Sequence, residues 1–328
     1  MFTRGESVAR NMGFLSLAVC VAALVVGQGV AGALDWPKKA VQIIVPFPPG
    51  GETDFNARTY IEYLSKSLGT DVVIISTAGN GGAIGARKGK DSPNDGYTVF
   101  FSSSAFLANE LSGAIDFGIE QFEFSCIVGQ NPGNIICVSS DLGVSSMKEL
   151  VEYTKAHPGE LRMAADTGAV THVTALMLKN AGVDANIVDV GSSGDRIASL
   201  LGGHVNIIIN AYGSVKDYIA SGDFVALGVT SDVQPEYIPD IPTCVSQGYD
   251  VVLPSYYFFA FPKGTDKEIV EKFTKAVEDI ARNNPKYAES IKTAFNQSVV
   301  FYSGEEGLAK FEELGKSFAQ FKKYFATK

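Results

Sequence analysis

Histidine and cysteine are both scarce in this chain, with three histidines and four cysteines in 328 residues. His157, His172 and His204 stand singly, and no Cys-x-x-Cys occurs, so the ligand spacing of a structural zinc site is missing and no metal is expected. Only Cys126, Cys137 and Cys244 follow residue 33, an odd number that allows at most one internal bridge. Cys126 and Cys137 flank the turn-like stretch Gln130 to Asn134 and could face each other on adjacent strands. The simpler reading makes all three cysteines buried small hydrophobes. No basic cluster appears and the formal net charge is −9, which argues against nucleic acid and against an anionic membrane surface as partners.

Catalytic and cofactor signatures are missing too. The glycines of Gly79 to Gly85 do not make a dinucleotide fingerprint, because Ile84 stands where the third glycine belongs. There is no phosphate-loop Gly-Lys-Ser/Thr. Ser192 and Ser193 lie between glycines without forming the Gly-x-Ser-x-Gly elbow of a hydrolase. Neither a cofactor nor an activated nucleophile is expected. Low-complexity linkers and short repeats are absent as well, so two lobes would share the chain through strand crossovers.

The N-terminus fixes the expected compartment. Arg4 and Arg10 form a basic head, Met12 to Val30 carries no charge, and Ala31-Gly32-Ala33 supplies small residues at the end of the apolar run. That order is a secretory signal peptide, here expected to be cleaved after Ala33 to give a periplasmic protein. An uncleaved anchor is the alternative, since the run approaches the ~18 residues of a spanning helix. A lipoprotein on Cys20 fits poorly, because Val19 is bulky and the cysteine lies in mid-run. Cleavage leaves about 295 residues with no further spanning segment, long enough for two lobes.

The remaining chain alternates β-branched runs with amphipathic helices, the grammar of α/β domains. Val41 to Val45 reads as a strand stopped by Pro46 and Pro48, and Thr53 as the cap of a helix carrying Ala57, Ile61, Leu64 and Leu68. Strands are expected at Val72 to Ile75, at Tyr97 to Phe101 running into Ser103, and at Ile135 to Val138, Leu161 to Ala164, Ile187 to Val190 and Val205 to Ile209. Ser146 with Glu149, Thr265 with Glu268 and Ser303 with Glu306 read as capping boxes. The stripe Leu308, Phe311, Leu314, Phe318 and Phe321 is core packing.

Parallel α/β sheets hold ligands in the loops at strand ends. Pro46 to Asp54 is the most informative of these, because two glycines and several prolines shape a loop whose free amides open onto a helix start. Donors and helix dipole act together there, which suits a carboxylate. The same holds at Gly81 to Ala83 and at Gly168 to His172. His172 opening a helix reads as a hydrogen-bonding or packing residue rather than a general base.

Trp36-Pro37 with Val41-x-Ile43-Ile44-Val45-Pro46-Phe47-Pro48-x-Gly50-Gly51-x-Thr53-Asp54 resembles the start of the substrate-binding proteins of tripartite tricarboxylate transporters, the Bug-type family. Gly81-Gly82-x-Ile84-Gly85, Asp95 to Thr98, His157-Pro158-Gly159, Leu200 to Val205 and Pro239 to Thr243 extend the resemblance in order over essentially the whole mature chain. It implies an α/β, periplasmic-binding-protein-like fold of type II, with two lobes, a cleft and a hinge. The lobes are expected at 34–127 with 229–328, and at 128–228. The implied function is capture of a small organic carboxylate by hinge closure and delivery to the membrane permease subunits of a tripartite transporter, by a monomeric chain with no enzymatic activity. A receptor that presents the ligand to a membrane sensor is the alternative, and a secreted enzyme the weaker one.

The resemblance points to Phe47, Pro48, Gly50, Gly51, Glu52, Thr53, Asp54, Gly82 and Ala83 in the first lobe, with Ser103 at its third strand end. In the second lobe it points to Thr167, Gly168, Thr171, His172 and the strand-end Asn210. Two departures bear on the ligand: Asp189-Val190-Gly191 replaces the family's Pro-Tyr/Phe-Lys-Gly, so an aromatic and a lysine are missing, and Glu52 stands where a small residue is common. If Glu52, Asp166 and Asp189 face the cleft, they disfavour a tricarboxylate and suit a monocarboxylate or an amine-bearing ligand, with Arg196 offsetting one of them.

Overall fold

The computed structural model describes residues 34–295 and 297–322, so the expected signal peptide at 1–33 lies outside them. From Pro37 onward the described residues form a single unit. The first half of the chain runs β1 (Val41–Val45), α1 (Glu52–Leu68), β2 (Val72–Ser76), α2 (Ala83–Lys90), β3 (Thr98–Ser103), α3 (Ala105–Ser112) and β4 (Phe122–Asn131). It then builds β5 (Ile135–Ser139), α4 (Met147–Ala156), β6 (Arg162–Ala165), α5 (Val170–Asn180), β7 (Asn186–Asp189), α6 (Ser193–Leu201), β8 (Ile207–Asn210), α7 (Tyr212–Ser221) and β9 (Phe224–Val229). The last part is β10 (Ser255–Pro262), α8 (Lys267–Asn283), α9 (Pro285–Phe295), β11 (Tyr302–Ser303) and α10 (Gly304–Ala319).

Two sheets result, ordered β11-β4-β10-β3-β1-β2 and β7-β6-β8-β5-β9. β1 runs parallel to β2 and β3, while β10 lies antiparallel between β3 and β4. In the second sheet β6 is parallel to β7 and β8, and β5 is antiparallel to β8 and β9. This is a bilobed α/β fold of the type II periplasmic-binding-protein kind.

Local sequence explains these elements. Four of the five β1 side chains are aliphatic and fully buried or nearly so (Val41, Ile43, Ile44, Val45), because helices cover both faces of the parallel strands. α1 buries Ala57, Tyr60 and Leu64, and the Tyr60 and Tyr287 hydroxyls both donate to the Val128 carbonyl, at 3.3 and 3.2 Å. Phe100 stacks on Phe122 with centroids 5.2 Å apart, and Phe258 meets Phe311 at 4.7 Å. Such pairs add about 0.5–1.5 kcal/mol beyond the area they bury. Leu176 and Met177 of α5 share one apolar cluster with Phe318 of α10 and with Phe321, so the core runs on from one lobe into the other.

The crossings lie further along the chain than expected. β4 pairs with β10 out to Asn131↔Ser255, so the first crossing falls between Asn131 and Ile135 rather than at 127/128. The chain also stays with the second sheet past 229, through the Val229↔Thr243 bridge and a bond from Cys244 N to Val229 O at 2.9 Å. The two crossings are laced together: Asn134 N donates to Thr230 Oγ1 and Thr230 N to Asn134 O, both at 2.9 Å. Gly133 fits because a Cβ there would stand 2.5 Å from the Thr230 carbonyl carbon.

Three further expectations are corrected. Cys126 and Cys137 do not share a sheet, since β4 and β5 belong to different lobes, and all three cysteines are free and buried. α1 begins at Glu52 with Gly51 as its N-cap, so Thr53 caps nothing. α8 is capped by Asp266, whose side chain accepts from Glu268 N, in place of Thr265.

The lobes touch at named points. Asn109 of α3 donates through Nδ2 to Gly81 O at 2.8 Å and to Gly168 O at 3.0 Å. Gly81 has φ +60° and presses so closely on the second lobe that a Cβ would meet Thr167 O at 2.8 Å. On another face Lys216 of α7 reaches the last carbonyls of α9, Thr293 at 3.3 Å and Ala294 at 3.5 Å. A cation at a helix C-terminus is favourably placed against the dipole.

Candidate solute-binding site

A cavity of about 600 Å³ opens between the two sheets. Its first-lobe wall is the loop Pro46 to Thr53, the turn Ala78 to Gly82, Ser103 and Ala105, with Asn131, Ser255 and Tyr257 at the crossing. Its second-lobe wall is Asn134, Asp166, Ala169 to Thr171, Gly191 to Arg196, Ala211 and Ser214. Histidine, cysteine and lysine are all missing from this lining.

Several of the expected site residues meet here: Phe47, Pro48, Gly50, Gly51, Glu52, Thr53, Gly82, Ser103 and Thr171 all line the cavity. Others stand one layer back. Asp54 is buried, and its Oδ2 accepts from Gly50 N at 3.0 Å and Arg58 Nε at 2.8 Å, so it shapes the loop instead of meeting a ligand. Ala83 is buried behind Gly82 in the first turn of α2. Thr167 N donates to Asp189 Oδ1 at 2.9 Å and Gly168 N to His172 Nδ1 at 3.3 Å, which places all four residues in a loop-shaping network outside the lining. Asn210 is buried and orients Arg196, accepting from its Nε at 2.8 Å.

Helix starts converge on this space. α5 and α7 begin at the cavity wall with no side-chain cap and no acid in the first turn. Their orphan amides and the positive ends of their dipoles therefore remain available to an anion. α6 is different: Ser192 and Asp195 make a reciprocal capping box that occupies the Ser192 and Asp195 amides and sets a carboxylate against the helix start.

The strongest charge at the site is Arg196, on the first turns of α6 and only 7% exposed. Besides Asn210, its guanidinium donates to the Gly191 and Val190 carbonyls. Among the described residues it makes no hydrogen bond through Nη2 and no ion pair, and it lines the cavity. Burial lowers its pKa to about 10, while Asp166 and Asp195 pull it back up, so it stays protonated at neutral pH.

The three acids weighed from the sequence divide. Glu52 is held by Asn131 Nδ2 at 3.0 Å, by Gln297 Nε2 and by the Tyr257 hydroxyl, and burial raises its pKa against those bonds. It joins the start of α1 to the crossing strands. Asp189 is exposed and lies outside the lining. Asp166 lines the cavity, and its pKa is raised to about 6, chiefly by desolvation and further by Asp189, with Arg196 opposing.

Sequence reasoning passed over Asn131, Tyr257 and the Ser192–Asp195 box, and gave Arg196 only a compensating role. The box was legible as Ser-x-x-Asp before an apolar helix. Asn131-Pro132-Gly133-Asn134 had the composition of a turn, and only the second sheet shows that it is a crossing.

Two α/β lobes with a polar cavity between them and lacing at the crossings define a solute-binding protein of the periplasmic type. The model of the tripartite tricarboxylate transporter family receptor matches residues 56–314, and the chain belongs to that family. It is 33% identical over 278 residues to protein BugT of Bordetella pertussis, covering 82% of this chain and 85% of that one. The structure of the periplasmic binding protein BugD superposes with a TM-score of 0.81 at 27% identity, covering 89% of this chain and 99% of that one. MatC from Rhodopseudomonas palustris, with bound malate, shares the fold at a TM-score of 0.78 and 19% identity, covering 88% and 99%. The matching family is one of transporter receptors and BugD is a periplasmic binding protein, and among the described residues no helix is long and apolar enough to cross a membrane.

Proposed function

We propose that this protein is a periplasmic receptor that captures a small organic carboxylate between its lobes and delivers it to the membrane permease of a tripartite transporter. The observation that carries this reading is the buried Arg196 guanidinium, which lines the cavity beside the open starts of α5 and α7 and whose Nη2 makes no hydrogen bond among the described residues. A carboxylate supplies the acceptors that these donors lack, and charge-assisted bonds in a desolvated cleft are the strong ones. The loop Phe47 to Thr53 and Gly82 would close over the ligand from the first lobe, with Ser103 and Thr171 as neutral polar contacts. The lobes would move as bodies about the paired crossings at 131–135 and 230–255, the usual hinge mechanics of such receptors. Export requires removal of the leader, for which cleavage after Ala33 remains the site we propose.

The test is a thermal-shift screen of the mature protein, unfolded and refolded to strip bound material, against carboxylates grouped by charge. A ligand binding only the native state adds ~2.7 kcal/mol at one hundred times its dissociation constant. A shift confined to carboxylates supports the reading, and a shift with sugars or cations alone overturns it.

A further inference from the structure

We propose that Asp166 and Arg196 together read a zwitterion, a small acid with a protonated amine close to its carboxylate, the ammonium group resting on Asp166 and the carboxylate on Arg196. The inference rests on the carboxylate reading above and narrows its ligand class. Both groups come from neighbouring strand ends. Asp166 directly follows β6, Arg196 sits on the helix after β7, and β6 and β7 pair in parallel out to Ala165↔Asp189.

Three acids line the cavity, namely Glu52, Asp166 and Asp195, against one cation, Arg196. Two of the acids are satisfied within the chain. Glu52 accepts from Asn131, Gln297 and Tyr257, and Asp195 accepts from Ser192 N and Oγ at 3.2 and 2.6 Å. Asp166 differs: among the described residues its carboxylate takes no hydrogen bond, although its own backbone N–H is bound to Thr171 Oγ1 at 3.0 Å. Nor does it pair with Arg196, whose hydrogen bonds go to Asn210, Val190 and Gly191. The site thus holds an anion and a cation side by side, each with unfilled capacity toward the same space. A simple carboxylate fills only Arg196 and leaves its own charge near Asp166, a repulsion that an adjacent ammonium removes. Burial of an unpaired acid is costly, and desolvation accordingly raises the Asp166 pKa to about 6. An ammonium group offers three donors and the missing charge.

The test is calorimetry of stripped, refolded wild type and Asp166→Asn with matched probes that differ only at the second carbon. One series is 2-aminobutanoate, 2-hydroxybutanoate and butanoate; a second is aspartate, malate and succinate; a third is phenylalanine, phenyllactate and phenylpropanoate. In at least one series the amino member should bind wild type at least about 30-fold tighter than its partners, the scale of a bond to a charged group, and Asp166→Asn should remove that preference. If hydroxy or unsubstituted members bind as tightly or better, or if the preference survives in Asp166→Asn, the zwitterion inference falls while the carboxylate reading stands. Should no member of any series bind wild type, both fall together. The wild-type comparison decides even if the variant fails to fold.

Discussion

Asn109 donates through Nδ2 to the Gly168 carbonyl at 3.0 Å, a bond that joins a helix of the first lobe to the binding loop of the second. The same nitrogen donates to Gly81 O and Ala105 O, both at 2.8 Å. The amide thus gathers the α2 turn and the α5 loop on one side of the cavity.

Asn109→Ala should weaken ligand capture without abolishing it. The substitution strips the Gly168 carbonyl of its partner at a buried contact, a loss of about 1 kcal/mol that falls on the closed arrangement. The apparent dissociation constant should rise about 5-fold, because a smaller fraction of the protein sits in the competent state. Calorimetry with the best carboxylate from the screen measures this, and an unchanged affinity would show that the bond does not hold the lobes.

Gly81→Ala tests the same approach by steric means. At φ +60° an alanine is strained, and its Cβ would press on Thr167 O from 2.8 Å. The lobes should be held apart, so that small-angle scattering with ligand gives a larger radius of gyration than liganded wild type. Equal radii would mean that the loop simply yields.

Asp166 also predicts a pH effect in the unliganded protein. Its folded pKa is raised to about 6, above the ordinary 3.8, so between these values the folded state holds more protons than the unfolded state. Stability from this group is therefore lost as pH rises from about 4 to about 6. Asp166→Asn removes the loss. Without ligand it should melt higher than wild type at pH 7.5, and the difference should shrink by pH 4.5. A variant that melts lower at both values contradicts the assignment.

The cysteines give a separate check on packing. Cys126, Cys137 and Cys244 are buried, and desolvation raises each thiol, Cys126 and Cys244 to about 12. An aromatic disulfide reagent should label none of them in the native protein and all three on denaturation, since thiolates are the reactive form. Labelling of fewer than three after denaturation without reductant would indicate a bridge that the fold does not allow.

How far the sequence could be read depended on how local each signal was. Val41 to Val45 and the Pro-Gly loop after it were legible, because a strand, a stop and a helix start follow one another within a dozen residues. β10 was not: Ser255 to Pro262 is a fully paired strand, six of its eight residues nonpolar or aromatic and buried, so no alternation marks it out. Its partners β3 and β4 lie more than a hundred residues away. Asp54 and Asn210 carried the right residue types for a site, yet both turn inward to brace the groups that face the cavity. Arg196 looked like one charge on a short amphipathic helix. Its importance comes from burial against the groups that end β7 and β8, Val190, Gly191 and Asn210, which only the second sheet brings together.

The most direct test of the account is the affinity of Arg196→Ala for the carboxylate that shifts wild type most. Removing a buried, unpaired cation that meets the ligand should cost about 2 kcal/mol or more, at least about 30-fold in the dissociation constant. Circular dichroism and melting should confirm a folded variant. An Arg196→Ala protein that is folded and binds that carboxylate as tightly as wild type would contradict the claim that Arg196 is the carboxylate's anchor.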